Sequence, residues 1–354
     1  MLGEHCVNRQ NLSNEKRSSL VAAIFLCPLD MGTIYLTPQY VPWYNTDMRE
    51  PATLQEAVVY FADQDRAHAH FAQVRWPNGI ACISCGSSTV RGISRRRWRC
   101  ADCKRDFTAK LGTIFEDSPL GLDKWLPAIW LLANAKNGIS SMELHRALGV
   151  TQKTAWFMLH RVRVALKLRS FDKLSGEVEA DETFVGGKLR HKRRTHYHVP
   201  SGMKAVGPVG KTPVLGMMER KGDVRAFVIP DVRKKTLVPM LYKHIDFGSS
   251  LYTDSLQSYR NLGQYYRAHE IVNHAFEYVR GSAHVNNVEC FWSVLKRGLT
   301  GTYICPSPVH LDKYLDEHIF RFNTRQKKDG PRFDQALKGV DRKRLTYKKL
   351  IGKL

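Results

Sequence analysis

From residue 177 onward the hydrophobic positions follow two alternating rhythms. Short runs rich in β-branched and aromatic residues predict strands at "EVEADETFV" (177–185), "TPVLGMME" (212–219), "VRAFVIP" (224–230), "SSLYTD" (249–254) and "HEIVN" (269–273). Between and after them, helical spacing predicts helices at "KKTLVPMLYKHI" (234–245), "SLQSYRNLGQ" (255–264), "NNVECFWSVLKRGL" (286–299) and "PVHLDKYLDEHIFRFN" (308–323). This alternation implies an α/β domain over 174–325. Upstream, residues 120–170 read as wholly helical. There "GISSMELHRALGVTQKTAWFMLHRVRVAL" (138–166) has Ser140, Ser141 and Thr151 placed to cap two helices and Gly149 at the break. A helix-turn-helix and a plain helical hairpin both fit it. Residues 48–75 read as a short helical lead-in, with Val58, Val59, Phe61 and Ala62 marking an amphipathic helix. Residues 1–47 show no sustained period and read as a poorly ordered extension. Residues 326–354 read as a basic, weakly periodic tail.

Charge and cysteine content sharpen this outline. The 354 residues carry 55 Lys and Arg against 33 Asp and Glu, a formal net charge of +22. Such an excess self-repels unless a polyanion is near, which points to nucleic acid or an anionic membrane surface. A membrane span is not expected: the longest apolar run, "LVAAIFLCPL" (20–29), is too short and contains Pro28. Four of the eight cysteines form two C-x2-C pairs, "CISC" (82–85) and "CADC" (100–103), with 14 residues between them. Cys82, Cys85, Cys100 and Cys103 therefore predict a closed, structural Zn2+ site in a ribbon over 76–112. Scattered single cysteines and a metal site suit a reducing compartment, so the expected location is cytoplasmic, on the nucleoid. The ribbon also carries Arg95, Arg96, Arg97, Arg99, Lys104 and Arg105 around Trp98, a composition suited to phosphate contact. Gln152 and Lys153 open the second helix of the helical pair, where a recognition helix would read base edges.

The acids need the sheet to acquire meaning. Asp181 lies in an apolar strand, where acids are disfavoured; its neighbours Glu179 and Glu182 are expected to face solvent. Asp254 ends a strand and starts a helix, so a helix N-cap competes with any chemical role. Glu289 falls in the first turn of a helix that Asn286 and Asn287 can cap, and a first-turn acid also suits the helix dipole. Lys296 follows two turns later on the same face. If the first and fourth strands are neighbours, Asp181 and Asp254 meet at the sheet's end, and the helix after the fifth strand can bring Glu289 there. Carboxylates so packed repel unless a hard divalent cation sits among them.

"VEADETFVGG", "YTDSLQSY", "HVNNVECFWSVLKRGLTGTY" and "YLDEHIFRFNTR" resemble bacterial insertion-sequence transposases of the DDE superfamily. The resemblance covers roughly residues 70–325. Within that superfamily it is to the group with an N-terminal zinc ribbon ahead of a ribonuclease-H-like catalytic domain. It implies that Asp181, Asp254 and Glu289 hold Mg2+ or Mn2+, that Lys296 touches DNA, and that the enzyme cuts and joins element ends and target DNA, as a homodimer or higher assembly. Some members carry Asn at the position of Glu289. Two other outcomes fit the same residues: a domesticated zinc-ribbon protein that only binds DNA, and a metal-dependent nuclease. The basic insert at 186–211, with Lys192, Arg193 and Arg194, reads either as an arm on DNA or as a solvated loop.

Overall fold

The computed structural model describes residues 50–167, 172–186, 210–272, 285–304 and 306–353. The extension at 1–47 and, from the insert, Lys192, Arg193 and Arg194 lie outside the described residues.

Two capped helices open the described chain. Thr53 and Glu56 form a reciprocal capping box that starts α1 (Leu54–Ala62), and the Asp63 carboxylate caps α2 (Gln64–Arg75). The ribbon follows as a three-stranded antiparallel sheet, β1 (Val90–Ser94), β2 (Arg97–Cys100) and β3 (Asp106–Thr108). Next come α3 (Leu122–Asn134), α4 (Ser141–Leu148) and α5 (Gln152–Leu166). Ser140 and Thr151 cap α4 and α5, and Gly149 adopts a left-handed φ of 65° that ends α4. The inner faces of these helices bury Leu144, Leu148, Ala155, Met158, Leu159 and Val162 in one core with Trp125, Trp130, Phe61 and Phe71.

The second half is built on a five-stranded mixed sheet. Its strands are β4 (Glu177–Val185), β5 (Thr212–Glu219), β6 (Val224–Val228), β7 (Ser250–Asp254) and β8 (Ala268–Val272). Their spatial order is β6-β5-β4-β7-β8. The first three strands form antiparallel pairs, whereas β4–β7 and β7–β8 are parallel. The helix α6 (Lys234–His244) covers one face, packing Leu237 and Leu241 on Val178, Ala180, Leu215 and Leu251. The opposite face is covered by α7 (Asn286–Gly301) and α8 (Leu311–Asn323), which pack Val288, Trp292, Leu311 and Leu315 on Val214, Met218 and Tyr252. This is the ribonuclease-H-like arrangement expected from the sequence.

Two stretches differ from the sequence reading. Residues 255–264 form only two short 3-10 turns, Gln257–Tyr259 and Leu262–Gln264, because Asn261 enters the left-handed region at φ 68° and breaks the helical path. Residues 326–354 include α9 (Asp329–Lys338) and α10 (Tyr347–Leu350). Phe333 of α9 packs its ring 5.1 Å from Trp130 and 5.4 Å from Phe61, so this tail belongs to the helical core. Gly330 and Pro331 in its first turn obscure the helical period in the sequence.

The two halves share α8. Phe320 lies in the helical core, while Leu311 and Leu315 lie under the sheet. At the junction the fully buried Glu317 accepts from Arg163 Nε of α5 at 2.6 Å and pairs with Arg321, and the Tyr303 hydroxyl also donates to it. Burial alone would raise the Glu317 carboxyl, but the guanidinium groups of Arg321 and Arg163 outweigh it and hold it well below the usual range. The ribbon-and-helix half is thereby fixed rigidly to the sheet.

Candidate active site

The strand register builds the site. In the parallel pairing of β4 with β7, Ala180 lies opposite Thr253. The next residue on each strand is an aspartate, so Asp181, midway along β4 where its pairing with β7 stops, stands beside Asp254 at the carboxyl end of β7. Open α/β sheets place their ligands there. Carboxylate oxygens of Asp181, Glu182 and Asp254 all lie within 4.8 Å of one another. Asp254 is fixed by an Asx turn, with its Oδ1 accepting from the Leu256 backbone N–H at 3.0 Å. Asp181 is fixed by Trp292, whose indole Nε1 donates to Oδ2 at 2.9 Å.

Trp292 occupies the space over Gly216 of β5. A Cβ built on that glycine would lie 2.4 Å from the indole ring, so only glycine admits it. Neither Trp292 nor Gly216 stood out in the sequence as a site residue. The signal was present only as a tryptophan one turn after Glu289.

Glu179 corrects the sequence reading. Expected to face solvent, it is fully buried. Its two oxygens accept from the backbone N–H groups of Asn287 (3.0 Å) and Val288 (3.2 Å) and from Asn287 Nδ2 (2.7 Å). Arg220 Nε donates to it from the other side at 2.9 Å. The N-cap of α7 is Val285, which makes no side-chain cap bond. The capping assigned to Asn286 and Asn287 is thus supplied across space by a strand carboxylate. An anion on the open amides of a first turn also satisfies the helix dipole. The register of β4 therefore fixes the start of α7 and, one turn in, Glu289 and Trp292.

Glu182 also departs from the solvent-facing expectation. It is half-buried, and its Oε1 is buried with no hydrogen-bond partner among the described residues. Burial raises its carboxyl to about 9, with the charges of Asp254 and Asp181 adding to the shift. Burial likewise raises Asp181 to about 6. The Trp292 hydrogen bond opposes this, and the charges of Asp254 and Glu289 reinforce it. Glu289 is exposed in the first turn of α7 and stands outside the 4.8 Å group, though its charge is felt at Asp181. Lys296 is exposed two turns further along α7. Clustered carboxylates with a buried, unpartnered oxygen among them are the donor set a hard divalent cation takes.

In the ribbon, the thiols of Cys82, Cys85, Cys100 and Cys103 lie within 4.8 Å of one another, with sulfur–sulfur distances of 3.5 Å (Cys82–Cys103) and 3.6 Å (Cys85–Cys100). A zinc–sulfur bond of about 2.3 Å sets tetrahedral sulfur–sulfur edges of about 3.8 Å, so the cage fits zinc and leaves no open position. Each knuckle is followed by a left-handed residue, Gly86 (φ 77°) and Lys104 (φ 60°), which turns the chain back toward its cysteines. Trp76, Trp98 and Phe107 pack beneath the cage.

The basic residues of the ribbon are partly engaged within the protein. Arg95 and Arg96 share Asp65, and Arg97 and Arg99 share Asp106. Each acid serves two arginines, so positive charge remains in excess, with Lys104 and Arg105 exposed beside it. At the start of α5, Gln152 Nε2 donates to the Ser141 hydroxyl at 2.8 Å, and Lys153 lies 5.3 Å from the Tyr347 ring centroid. Both residues are exposed at the helix N-terminus. No helix among the described residues is long and apolar enough to cross a membrane.

Known proteins match along the same two units. Residues 62–106 match the transposase zinc-ribbon domain, and residues 173–323 match the ISXO2-like transposase domain. The chain is similar to a protein of the transposable element ISH50 of Halobacterium salinarum, with 29% identity over 255 residues, 68% of this chain and 84% of that one. It is also similar to a transposase-like protein of Haemophilus influenzae, with 31% identity over 103 residues, 29% of this chain and 83% of that one. With the ribbon, the mixed sheet and the paired aspartates in this order, the chain belongs to the insertion-sequence transposases that carry a zinc ribbon ahead of a ribonuclease-H-like, DDE-type domain.

Proposed function

We propose that this transposase cuts the phosphodiester at the ends of its element and joins the freed 3′-hydroxyl to target DNA, using Asp181, Asp254 and Glu289 as its Mg2+- or Mn2+-dependent acid triad. The observation that carries the reading is the apposition of Asp181 of β4 with Asp254 at the carboxyl end of β7. Divalent cations bound there would activate the attacking oxygen and stabilise the leaving one in an in-line displacement at phosphorus. The protein's own part is positional. Trp292 holds one oxygen of Asp181, the Leu256 amide holds one of Asp254, and the capped start of α7 presents Glu289 from the helix side. Lys296, exposed on α7, would take a DNA phosphate near the acids. The ribbon arginines and the N-terminus of α5, with Gln152 and Lys153, form the surfaces that hold element ends. Because two ends are handled together, the DNA-bound form is a dimer or larger.

The test incubates purified protein and Mg2+ with a DNA fragment bearing the element's terminal inverted repeats. Joined products with wild type, and none with Asp181→Asn or Glu289→Gln despite intact end binding, are expected. Cut ends without joining would make the protein a nuclease. A gel shift without chemistry would make it a DNA-binding protein only. Joining by either variant would refute the triad.

A further inference from the structure

Strand β4 carries two consecutive acids just past the end of its pairing with β7, and side chains on a strand alternate between faces. Asp181 shares a face with Glu179, toward α7, whereas Glu182 follows Val178 and Ala180 on the face covered by α6. A lone glutamate there would be expected to turn outward to water. Instead its carboxylate joins the pair, with oxygens of Asp181, Glu182 and Asp254 all within 4.8 Å of one another. Its Oε1 is buried and unpartnered among the described residues. Burying this carboxyl beside two others, with one oxygen stripped of hydrogen bonds, is costly in the metal-free protein whether it ionises or holds a proton. That cost is removed if the cluster shares a cation. Glu289, by contrast, lies outside this group, in the first turn of α7, the helix that packs on the other face of the sheet.

We propose that Glu182 is a further carboxylate ligand of the divalent cation, supplied by β4 itself next to Asp181 and Asp254 and on the opposite side from Glu289. This rests on the divalent-cation reading of the site given above. It makes the set of acids that holds the cation in DNA-free protein Asp181, Glu182 and Asp254, and assigns Glu289 mainly to the DNA-bound state.

The experiment measures Mn2+ binding to the full-length, zinc-loaded protein without DNA, by electron paramagnetic resonance of free Mn2+. Mn2+ favours oxygen ligands and leaves the ribbon thiolates to zinc. Glu182→Gln keeps the side chain's size and is expected to weaken Mn2+ binding at least tenfold, with Glu182→Asp recovering part of the loss. Glu289→Gln should weaken it less than Glu182→Gln does. Melting of the same samples supplies the second readout. Glu182→Gln should match or exceed wild type without metal but lose most of the Mn2+-induced rise. Mn2+ affinity in Glu182→Gln equal to wild type, alongside loss in Asp181→Asn, would overturn the role of Glu182 and leave the metal centre standing. A lowered metal-free melting temperature with unchanged Mn2+ affinity would mark Glu182 as structural and also overturn the proposal. Failure of wild type itself to bind Mn2+ would overturn the metal-centre reading, and this assignment with it.

Discussion

Replacing Glu179 by alanine tests how the sheet positions α7. Had this residue faced solvent, the change would alter stability by no more than about 0.5 kcal/mol. The structure predicts far more. The carboxylate is fully buried and accepts from two first-turn amides of α7, from the Asn287 side chain and from Arg220. Arg220 is itself nearly buried, with 11% of its side chain exposed, and also contacts Glu177 at 3.2 Å. Hydrogen bonds to a charged group are each worth about 1.5–3 kcal/mol and do not add simply. Removing one partner of a buried ion pair costs about 3–5 kcal/mol, because the other charge stays buried. Glu177 remains to pair part of Arg220, so the expected loss for Glu179→Ala is about 3 kcal/mol, read from the urea midpoint of zinc-loaded protein. The double variant Glu179→Ala/Arg220→Met should lose less than the sum of its parts, because it leaves no orphaned guanidinium. Activity of Glu179→Gln, which keeps the shape but not the charge, should fall more than its stability does, since α7 carries both Glu289 and Trp292. A loss below 1 kcal/mol for Glu179→Ala, with additive behaviour in the double variant, would refute the capping role.

Other outcomes follow from neighbouring contacts. Gly216→Ala should cost about 1–3 kcal/mol by overpacking against Trp292 and should also impair Mn2+ binding, a pairing checked by melting and metal titration on the same sample. Trp292→Phe removes the donor that favours ionised Asp181, so in the metal-free protein that carboxyl should rise above about 6, read by NMR titration of the side-chain carboxyl carbon; an unmoved titration would exclude the contact. Glu317 is charged in the fold and held below its ordinary 4.5, so its contribution to stability is full above that pH and drains as pH falls toward about 2. Glu317→Gln should therefore flatten the acid side of the stability curve measured by denaturant titration. Cys85→Ser should lose the zinc released by a thiol-modifying reagent and unfold the ribbon strands while leaving the α6–α7 sheet intact, as seen by amide exchange.

Several elements could be read from local pattern because local forces decide them. β4 and β5 span the runs "EVEADETFV" and "TPVLGMME". Ser140, Gly149 and Thr151 delimit α4 and α5 as their capping chemistry requires. The four cysteines announced their cage by spacing alone, since a C-x2-C knuckle is a local geometry. Asp181 and Asp254 were readable as candidates because an acid within or at the end of an apolar strand is disfavoured unless it is used.

What the sequence could not decide is where a side chain goes once its strand meets other elements. Glu179, Asp181 and Glu182 are all acids in one strand, and nothing local separates a helix cap from a solvated charge. Register separates them: the pairing Ala180–Thr253 sets Asp181 beside Asp254, and the packing of α7 on β4 turns Glu179 into the cap of a helix 108 residues away. Gly216 and Trp292 meet for the same reason, one supplying the gap that the other fills. Composition and period thus determined which elements form and which chemistry was available. The tertiary fold alone determined which carboxylates share a point in space, because the cost of bringing like charges together out of water is set by distance and burial, and neither is a property of the chain until it folds.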